Sequence, residues 1–212
     1  MSVTNIIISG TGGQGIVLAS RIIAETAFRS GFDVKESEIH GMAQRGGSVV
    51  GHIRFGNKVF SPHIPYQSGD IMVALEEVEA IRYLSFLKPE GIIILNKKKI
   101  PPAGKDLNSY PKNIESFLTQ NGFRVLSVDA EAKAKELGNI KVENSVILGI
   151  LSIFLPFSED LWIEVIRNSV PSKTIDLNIN AFKEGRRLAE KNVILEQGNR
   201  NIRKKKVTRT SI

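Results

Sequence analysis

Residues 5–15 read NIIISGTGGQG, an apolar run that leads directly into a glycine-rich turn. The three consecutive isoleucines are typical of a buried strand. After the turn, apolar residues recur at helical spacing at Ile16, Leu18, Ile22, Ile23 and Ala27. Gly31 then ends this helix. A strand, a tight turn and a helix in this order predict an α/β fold.

The rest of the chain continues to alternate strands with helices. Strands are predicted at Phe32–Ile39, Ser48–Phe55, Asp70–Leu75, Ile92–Leu95 and Phe123–Val128. Helices are predicted at Glu76–Phe86, Asn113–Gln120, Ala130–Leu137, Ser145–Leu155, Ser158–Asn168 and Thr174–Lys191. A hairpin that returns through Lys58–Phe60 and a turn at Lys88–Gly91 complete the pattern. We therefore predict a three-layer, Rossmann-like domain with a mainly parallel sheet, helices on both faces and a helical C-terminal part.

Composition narrows the class of protein. The 212 residues are 42% hydrophobic and 24% charged, which is typical of one soluble globular domain. The chain has no cysteine, which excludes disulfides, thiolate metal sites and an iron–sulfur cluster held by its own thiolates. The N-terminus lacks the pattern of a signal peptide, and no window reaches the ~20 apolar residues that span a bilayer. We expect a cytoplasmic protein that is not inserted in a membrane.

Most of the net charge lies at the C-terminus. The formal net charge is +7, and six positive charges come from Arg200, Arg203, Lys204, Lys205, Lys206 and Arg209. Subtracting them leaves +1 for the rest of the chain. We expect one domain over residues 1–196 and a basic, disordered tail over residues 197–212. A nucleic-acid-binding protein would more often spread its basic residues over a folded face.

The glycine-rich turn has two interpretations. Gly10, Gly12 and Gly15 match the pattern G-x-G-x-x-G, in which the backbone turns tightly and the free N–H groups of the helix start favour an anion. A dinucleotide site also needs an acid at the end of the second strand, for which Glu36 and Glu38 are candidates. The alternative is a tight strand-to-helix connection that binds no ligand.

Residues 40–48 read HGMAQRGGS and form the most unusual connection in the chain. Arg45 could bind a carboxylate or phosphate in bidentate fashion, Gln44 could orient a carbonyl group, and His40 could transfer protons near neutral pH. The structural alternative is that Gly46 and Gly47 only form a turn and that Arg45 is a surface charge.

The sequences GTGGQGI at 10–16 and SEIHGMAQRGGSV at 37–49 together strongly resemble the gamma-type domain of 2-oxoacid:ferredoxin oxidoreductases. The form HGMAQRGG is similar to the indolepyruvate branch, whereas the pyruvate and 2-oxoglutarate branches commonly have Gly-Pro-Glu in place of Gly-Met-Ala. The resemblance extends over roughly residues 5–190. Its further matches are Ser61-Pro62, Gly69-Asp70, Leu87–Gly91, Val142–Ser145, Gly149, Pro171, Asn178, Ala181-Phe182 and Gly185-Arg186.

The resemblance implies a division of labour between two chains. In this family a large subunit binds thiamine diphosphate with Mg²⁺ and carries the iron–sulfur clusters. It decarboxylates the 2-oxoacid, here an aryl-pyruvate, passes electrons to ferredoxin and yields an acyl-CoA. The chain would then be the small subunit, inactive without the large one, with coenzyme A at or near the interface. In isolation, the surface meant for the large subunit could pair with a second copy.

The two motifs follow the carboxyl ends of strands, where ligands meet open α/β sheets. We therefore expect them to form one surface that faces the partner or coenzyme A. Its predicted members are Gly10, Thr11, Gly12, Gly13, Gln14, Gly15, His40, Gly41, Met42, Gln44, Arg45, Gly46, Gly47 and Asn144. Arg45 would contact an anion, and Gln44 and His40 would be polar contacts. No catalytic residue and no metal ligand is assigned to this chain.

Two other functions remain as alternatives. The first is a stand-alone NAD(P)-dependent oxidoreductase, which would bind the dinucleotide saturably at micromolar concentration. The second is a non-catalytic binding module whose tail contacts nucleic acid or an acidic partner. Its binding would depend strongly on salt and would disappear when the residues after Gln197 are deleted.

Overall fold

The first strand, β1 (Thr4–Thr11), lies in the interior of the sheet. Ile6, Ile7 and Ile8 are all fully buried, so both faces of this strand are covered. A continuous apolar run is what burial on both faces requires, because alternate side chains point to opposite faces. The computed structural model describes residues 3–40, 46–101, 104 and 106–191.

The sheet has six strands in the order β2-β3-β1-β4-β5-β6. The other strands are β2 (Asp33–His40), β3 (Ser48–Gly56), β4 (Gly69–Ala74), β5 (Leu87–Asn96) and β6 (Arg124–Val128). β1, β4, β5 and β6 are parallel to one another, whereas β3 is antiparallel to both of its neighbours, β1 and β2. The carboxyl ends of β1, β2, β4, β5 and β6 therefore lie along one edge of the sheet, which we call the carboxyl edge.

Helices cover both faces of the sheet. The helices are α1 (Ile16–Arg29), α2 (Glu77–Arg82), α3 (Ile114–Gln120), α4 (Ala130–Glu136), α5 (Glu143–Ser152), α6 (Glu159–Ser169) and α7 (175–191). One core cluster joins the sheet to α1, α4, α5, α6 and α7, and a second joins the opposite face to α2 and α3. This arrangement confirms the predicted three-layer fold with a mainly parallel sheet.

Helices α5 and α7 touch through their backbones at two glycines. A Cβ atom built on Gly149 would lie 2.0 Å from the carbonyl oxygen of Phe182, and one built on Gly185 would lie 1.9 Å from that of Val146. No real Cβ atom tolerates such distances, so each helix needs a residue without a side chain at the crossing. This close approach brings the C-terminal helix against the core.

Several predicted boundaries were wrong. Lys58–Phe60 does not return as a strand, because Val59 donates its backbone N–H to the side chain of Asp33 at 2.9 Å instead of extending the ladder. Lys88–Gly91 is not a turn but lies within β5, where Glu90 has a φ of 61°. The helix predicted over Glu76–Phe86 is shorter and ends in a 3-10 turn at Leu84–Phe86.

No helix in the described part of the chain is both long enough and apolar enough to cross a lipid bilayer. The predicted basic tail at residues 197–212 lies outside the described residues.

Candidate functional site

The glycine-rich turn connects β1 to α1 at the carboxyl edge. Gly13 and Gly15 have φ values of 100° and 74°, in the left-handed region that favours glycine. A Cβ atom on Gly13 would meet no atom within 4 Å, so this residue faces open space. Gly15 precedes the first residue of α1 and occupies its N-cap position. The turn thus presents bare backbone at the start of a 14-residue helix.

The side chain of Gln14 fixes the turn through hydrogen bonds. Its side-chain Oε1 accepts hydrogen bonds from the Thr11 backbone N–H at 2.7 Å and from the Thr11 hydroxyl at 3.1 Å. Its Nε2 donates to the carbonyl oxygen of Leu75, just after β4, at 2.9 Å. Gly10 makes room for this side chain, because a Cβ there would lie 2.7 Å from the Gln14 Oε1. The Gln14 amide therefore links the ends of β1 and β4.

The two glycine-rich connections meet at the carboxyl edge. Thr11, the last residue of β1, pairs with Ser48, the first residue of β3. Beyond this pair, the Gly12 N–H donates to the carbonyl oxygen of Gly47 at 2.8 Å, and the Gly46 N–H donates to the Gly12 carbonyl oxygen at 3.3 Å. The structure thus brings together Gly10–Gly15 and the last two residues of the second connection.

The rest of the second connection is only partly described. His40 is the last residue of β2 and pairs with Val49 of β3, but its side chain lies outside the described part of the structure. Gly41, Met42, Gln44 and Arg45 also lie outside the described residues. Their predicted roles remain predictions.

Asn144, in the first turn of α5, brings a third segment to the glycine-rich turn. Its side-chain Nδ2 donates to the carbonyl oxygen of Gln14 at 2.7 Å and to that of Gly15 at 3.3 Å. A Cβ on Gly15 would lie 2.8 Å from this same nitrogen. The glycine at position 15 and the asparagine at position 144 therefore depend on each other.

A cleft of about 340 Å³ opens between α1 and α5, next to the glycine-rich turn. Leu18, Ile22 and Leu148 contribute apolar walls, while Lys141 and Asn144 contribute polar groups. Leu18, which lines this cleft, is 40% exposed. Apolar walls with a few polar groups are typical of a surface that binds a ligand or a partner.

Sequence reasoning missed a polar cluster below this cleft. Asn96, at the end of β5, is 1% exposed and donates to Leu75 O at 3.2 Å and to Glu143 Oε1 at 2.6 Å. Lys98 bonds Glu143 at 2.8 Å and Glu131 at 3.0 Å. Burial alone would lower the pKa of Lys98, but the hydrogen bonds to the two carboxylates outweigh it and raise that pKa. Nothing in the local sequence signals this cluster, because its members come from separate segments.

The geometry disfavours the dinucleotide interpretation. β3 lies between β1 and β2, so the candidate acids Glu36 and Glu38 are two strands, or about 10 Å, away from β1 in the sheet. The Gly12 N–H, which would face a pyrophosphate in such a site, is bonded to Gly47 instead. Burial and the nearby Glu38 charge also raise the pKa of Glu36, although Arg21 acts in the opposite direction.

Among the described residues, no group of three or more His, Asp or Glu side chains is placed to hold a metal ion. The candidate site combines backbone, amide and apolar groups with the charged side chains of Lys98, Lys141 and Glu143, which line the cleft.

Comparison with known proteins identifies the family. Residues 5–188 match the family of pyruvate ferredoxin/flavodoxin oxidoreductase. The chain belongs to this family. This result confirms the resemblance found in the two glycine-rich motifs, and the matched range nearly equals the range over which the resemblance extends.

Relatives in the family refine the comparison. The chain is 40% identical over 193 residues to indolepyruvate oxidoreductase subunit IorB from Thermococcus kodakarensis, an alignment that covers 88% of this chain and 96% of that protein. Homologues of this type are small subunits of oxidoreductase complexes.

Solved structures share the fold. The gamma subunit of a keto/oxoacid ferredoxin oxidoreductase from Geobacter sulfurreducens has a TM-score of 0.67 at 23% identity, covering 88% of this chain and 98% of that one. A 2-oxoglutarate:ferredoxin oxidoreductase from Magnetococcus marinus, solved with 2-oxoglutarate, coenzyme A and succinyl-CoA bound, has a TM-score of 0.70 at 21% identity. There the match covers 90% of this chain but 31% of that chain, so this fold is one part of a longer polypeptide.

Proposed function

We propose that this chain is the small subunit of a 2-oxoacid:ferredoxin oxidoreductase that oxidatively decarboxylates an aryl-pyruvate of the indolepyruvate type to an acyl-CoA. The observation that carries this proposal is the 40% identity to subunit IorB across 96% of that protein. The motif HGMAQRGG at 40–47, with Met and Ala where other branches commonly have Pro and Glu, supports the same branch.

Thiamine diphosphate, Mg²⁺ and the iron–sulfur clusters belong to the large subunit in this proposal. The sequence supports this division, because a chain without cysteine cannot hold the cluster by thiolates. The electrons would pass from the large subunit to ferredoxin. The small chain would contribute a surface and no redox group.

The carboxyl edge is the proposed contact surface for the large subunit. Gly13 faces open space, so a partner can approach the backbone closely there. Exposed apolar side chains flank the turn, at Val17 (45% exposed) and Leu18 on α1 and at Ile140 (44% exposed) before α5. Large apolar groups beside ordered polar backbone are typical of the central part of a protein–protein interface.

The glycine-rich turn and the neighbouring cleft have different proposed roles in this surface. Gln14 and Asn144 hold the turn in place through their side chains, and the turn offers its backbone. The cleft between α1 and α5 can receive an apolar group next to Lys141 and Asn144. Backbone that is already held in place loses little freedom on binding, which favours tight assembly.

Arg45 is the proposed anion contact, with Gln44 and His40 as polar contacts at the seam between the subunits. A guanidinium group suits the phosphates of coenzyme A because it can donate two parallel hydrogen bonds. Support for coenzyme A comes from the Magnetococcus enzyme, which contains the same fold and was solved with coenzyme A bound.

The test is reconstitution with the cluster-bearing large subunit of the same organism. We expect the two chains to co-purify and to reduce ferredoxin when indolepyruvate and coenzyme A are added, with little activity from either chain alone. If the chains do not associate and the small chain does not stimulate the reaction, the proposal is wrong. Saturable micromolar binding of NAD(P) by the isolated chain would instead favour the stand-alone oxidoreductase.

A further inference from the structure

A buried carboxylate contacts Ser48, the residue that follows Gly46 and Gly47. Glu79, on α2, is 4% exposed. Its Oε2 accepts a hydrogen bond from the Ser48 hydroxyl, and its Oε1 accepts one from the Arg82 Nε at 3.0 Å. The Ser48 oxygen also lies 2.8 Å from the Tyr83 hydroxyl. Glu79 and Tyr83, the residue that follows the helix, therefore both contact this serine, and Arg82 binds the other oxygen of Glu79.

This serine stands where the second connection ends. Ser48 follows Gly46 and Gly47 directly and opens β3, where it pairs with Thr11. Gly46 and Gly47 have no side chains of their own to fix them, so the first fixed side chain after them is that of Ser48. Its hydrogen bonds consequently set where the connection leaves the sheet.

Helix α2 is itself firmly anchored. Glu76 is 1% exposed, and its Oε2 accepts the Glu79 backbone N–H at 3.1 Å as an N-cap. Its Oε1 accepts the Ile100 N–H at 3.0 Å and the hydroxyl of Tyr110. The Tyr110 oxygen in turn accepts the Val78 N–H at 3.0 Å. A helix fixed by these bonds can hold Ser48 in place.

Burying a carboxylate costs free energy unless its oxygens are hydrogen-bonded, and hydrogen bonds to a charged group are about twice as strong as neutral ones. Glu79 meets this condition by binding Ser48 and Arg82. Because it is almost fully buried, it offers little surface to a partner. Its effect on assembly must therefore pass through the residues that it holds.

We propose that Glu79 is a positioning residue that acts through Ser48 and holds Gly46 and Gly47 against Gly12, in the conformation that the large subunit binds. The proposal rests on the proposed function of the carboxyl edge as the contact surface. Backbone that is held in place at Gly46 and Gly47 before binding loses less conformational freedom on assembly, so its preorganisation raises affinity.

The experiment measures the dissociation constant of the small subunit from the large subunit for four variants of the full chain. Ser48→Ala removes the hydroxyl that Glu79 binds, and Ser48→Thr keeps a hydroxyl. Glu79→Gln keeps an oxygen acceptor but removes the charge. The matched control is Ser152→Ala, which removes a buried hydroxyl that accepts from Arg186 at 2.7 Å, at the far end of α5.

We expect Ser48→Ala to weaken assembly about tenfold and Glu79→Gln about threefold, while Ser48→Thr and Ser152→Ala stay within about twofold of the unmodified chain. Turnover per assembled complex should change little at saturating small subunit, because the effect is on docking. If Ser48→Ala does not fold, the test is whether Glu79→Gln weakens assembly more than Ser152→Ala does.

Equal weakening by Ser48→Ala and Ser152→Ala would overturn the proposal, since the loss would then reflect general stability. Weakening by Ser48→Thr as large as that by Ser48→Ala would also overturn it, because the hydroxyl would not be the cause. If the unmodified chain does not bind the large subunit at all, the proposed function itself is wrong.

Discussion

Gly12 donates its backbone N–H to the carbonyl oxygen of Gly47 at 2.8 Å, across 35 positions of sequence. This bond and the pairing of Thr11 with Ser48 join the two motifs that define the family resemblance. Motifs that are far apart in sequence therefore form one edge of the molecule.

The Gln14 amide should contribute to stability, because it ties the glycine-rich turn to the end of β4. We expect Gln14→Ala to lower the free energy of unfolding by about 1–2 kcal/mol, since the Thr11 N–H loses its Gln14 acceptor and the Leu75 carbonyl keeps only the Asn96 donor. Urea denaturation measures this loss. Gln14→Glu should be at least as harmful, because it places a carboxylate oxygen against the Leu75 oxygen. A free energy of unfolding unchanged in both variants would show that the amide does not hold the turn.

The Asn144 side chain should contribute to the affinity for the large subunit. Asn144→Asp removes the donor to Gln14 O and Gly15 O, so the turn should loosen and affinity for the large subunit should fall about tenfold. The matched control is Asn5→Asp, which removes a donor to the Ser68 carbonyl at the opposite end of β1. Pull-down titration of the large subunit distinguishes the two. Equal losses of affinity would argue against a role of the carboxyl edge.

The α5–α7 crossing should not tolerate a side chain. We expect Gly149→Ala to destabilise the protein by about 3 kcal/mol, because its Cβ would lie 2.0 Å from Phe182 O and force the helices apart. Gly122→Ala is the control for backbone strain alone: Gly122 has a φ of 87° and open space around it, and its substitution should cost about 1 kcal/mol. Thermal and urea unfolding give both values, and a Gly149 variant as stable as the Gly122 variant would contradict the close packing.

His52 should make stability depend on pH. It is 1% exposed, its Nδ1 accepts the Ile64 N–H at 3.1 Å, and burial together with the neighbouring His63 and Arg54 lowers its pKa to about 4. Between about pH 4 and pH 6.5, His52 is more often protonated in the unfolded chain than in the folded protein. Stability is therefore greatest above pH 6.5 and falls as the pH drops, by at most ~1.4 kcal/mol per pH unit from this residue.

The check is the free energy of unfolding at pH 7 and pH 5, compared between the unmodified chain and His52→Leu. The unmodified chain should lose more stability between these two pH values. An equal loss in both proteins would mean that His52 does not titrate differently in the folded and unfolded states.

Local sequence was sufficient to predict the strands and helices, but not all of the segments that connect them. The β1–turn–α1 unit was predicted correctly because Ile6–Ile8 and the helical spacing from Ile16 are strong local signals. The start of β5 was missed, because Lys88–Gly91 has the composition of a turn and forms an irregular stretch between Leu87, which pairs with Gly69, and Ile92, which pairs with Ile71. Strand pairing depends on distant residues, so local composition does not determine it.

The sequence predicted that the two glycine motifs meet at one edge of the sheet, but not which buried side chains hold them there. The glycine motifs pointed to the carboxyl edge, and Asn144 was placed there through the family resemblance. Glu79 and Asn96 could not be found in this way, because each binds residues at least 20 positions away and neither lies in a recognisable motif. Hydrogen bonds between buried polar groups that are distant in sequence can be identified only from the folded structure.

The most direct test of the account is amide hydrogen exchange of the small subunit, alone and bound to the large subunit. We predict that binding protects residues 8–20 and 138–148, which form the glycine-rich turn, the start of α1 and the start of α5. Residues 58–70, at the opposite edge of the sheet, should exchange equally in both states. Protection of residues 58–70 without protection of residues 8–20 would contradict the assignment of the carboxyl edge as the contact surface.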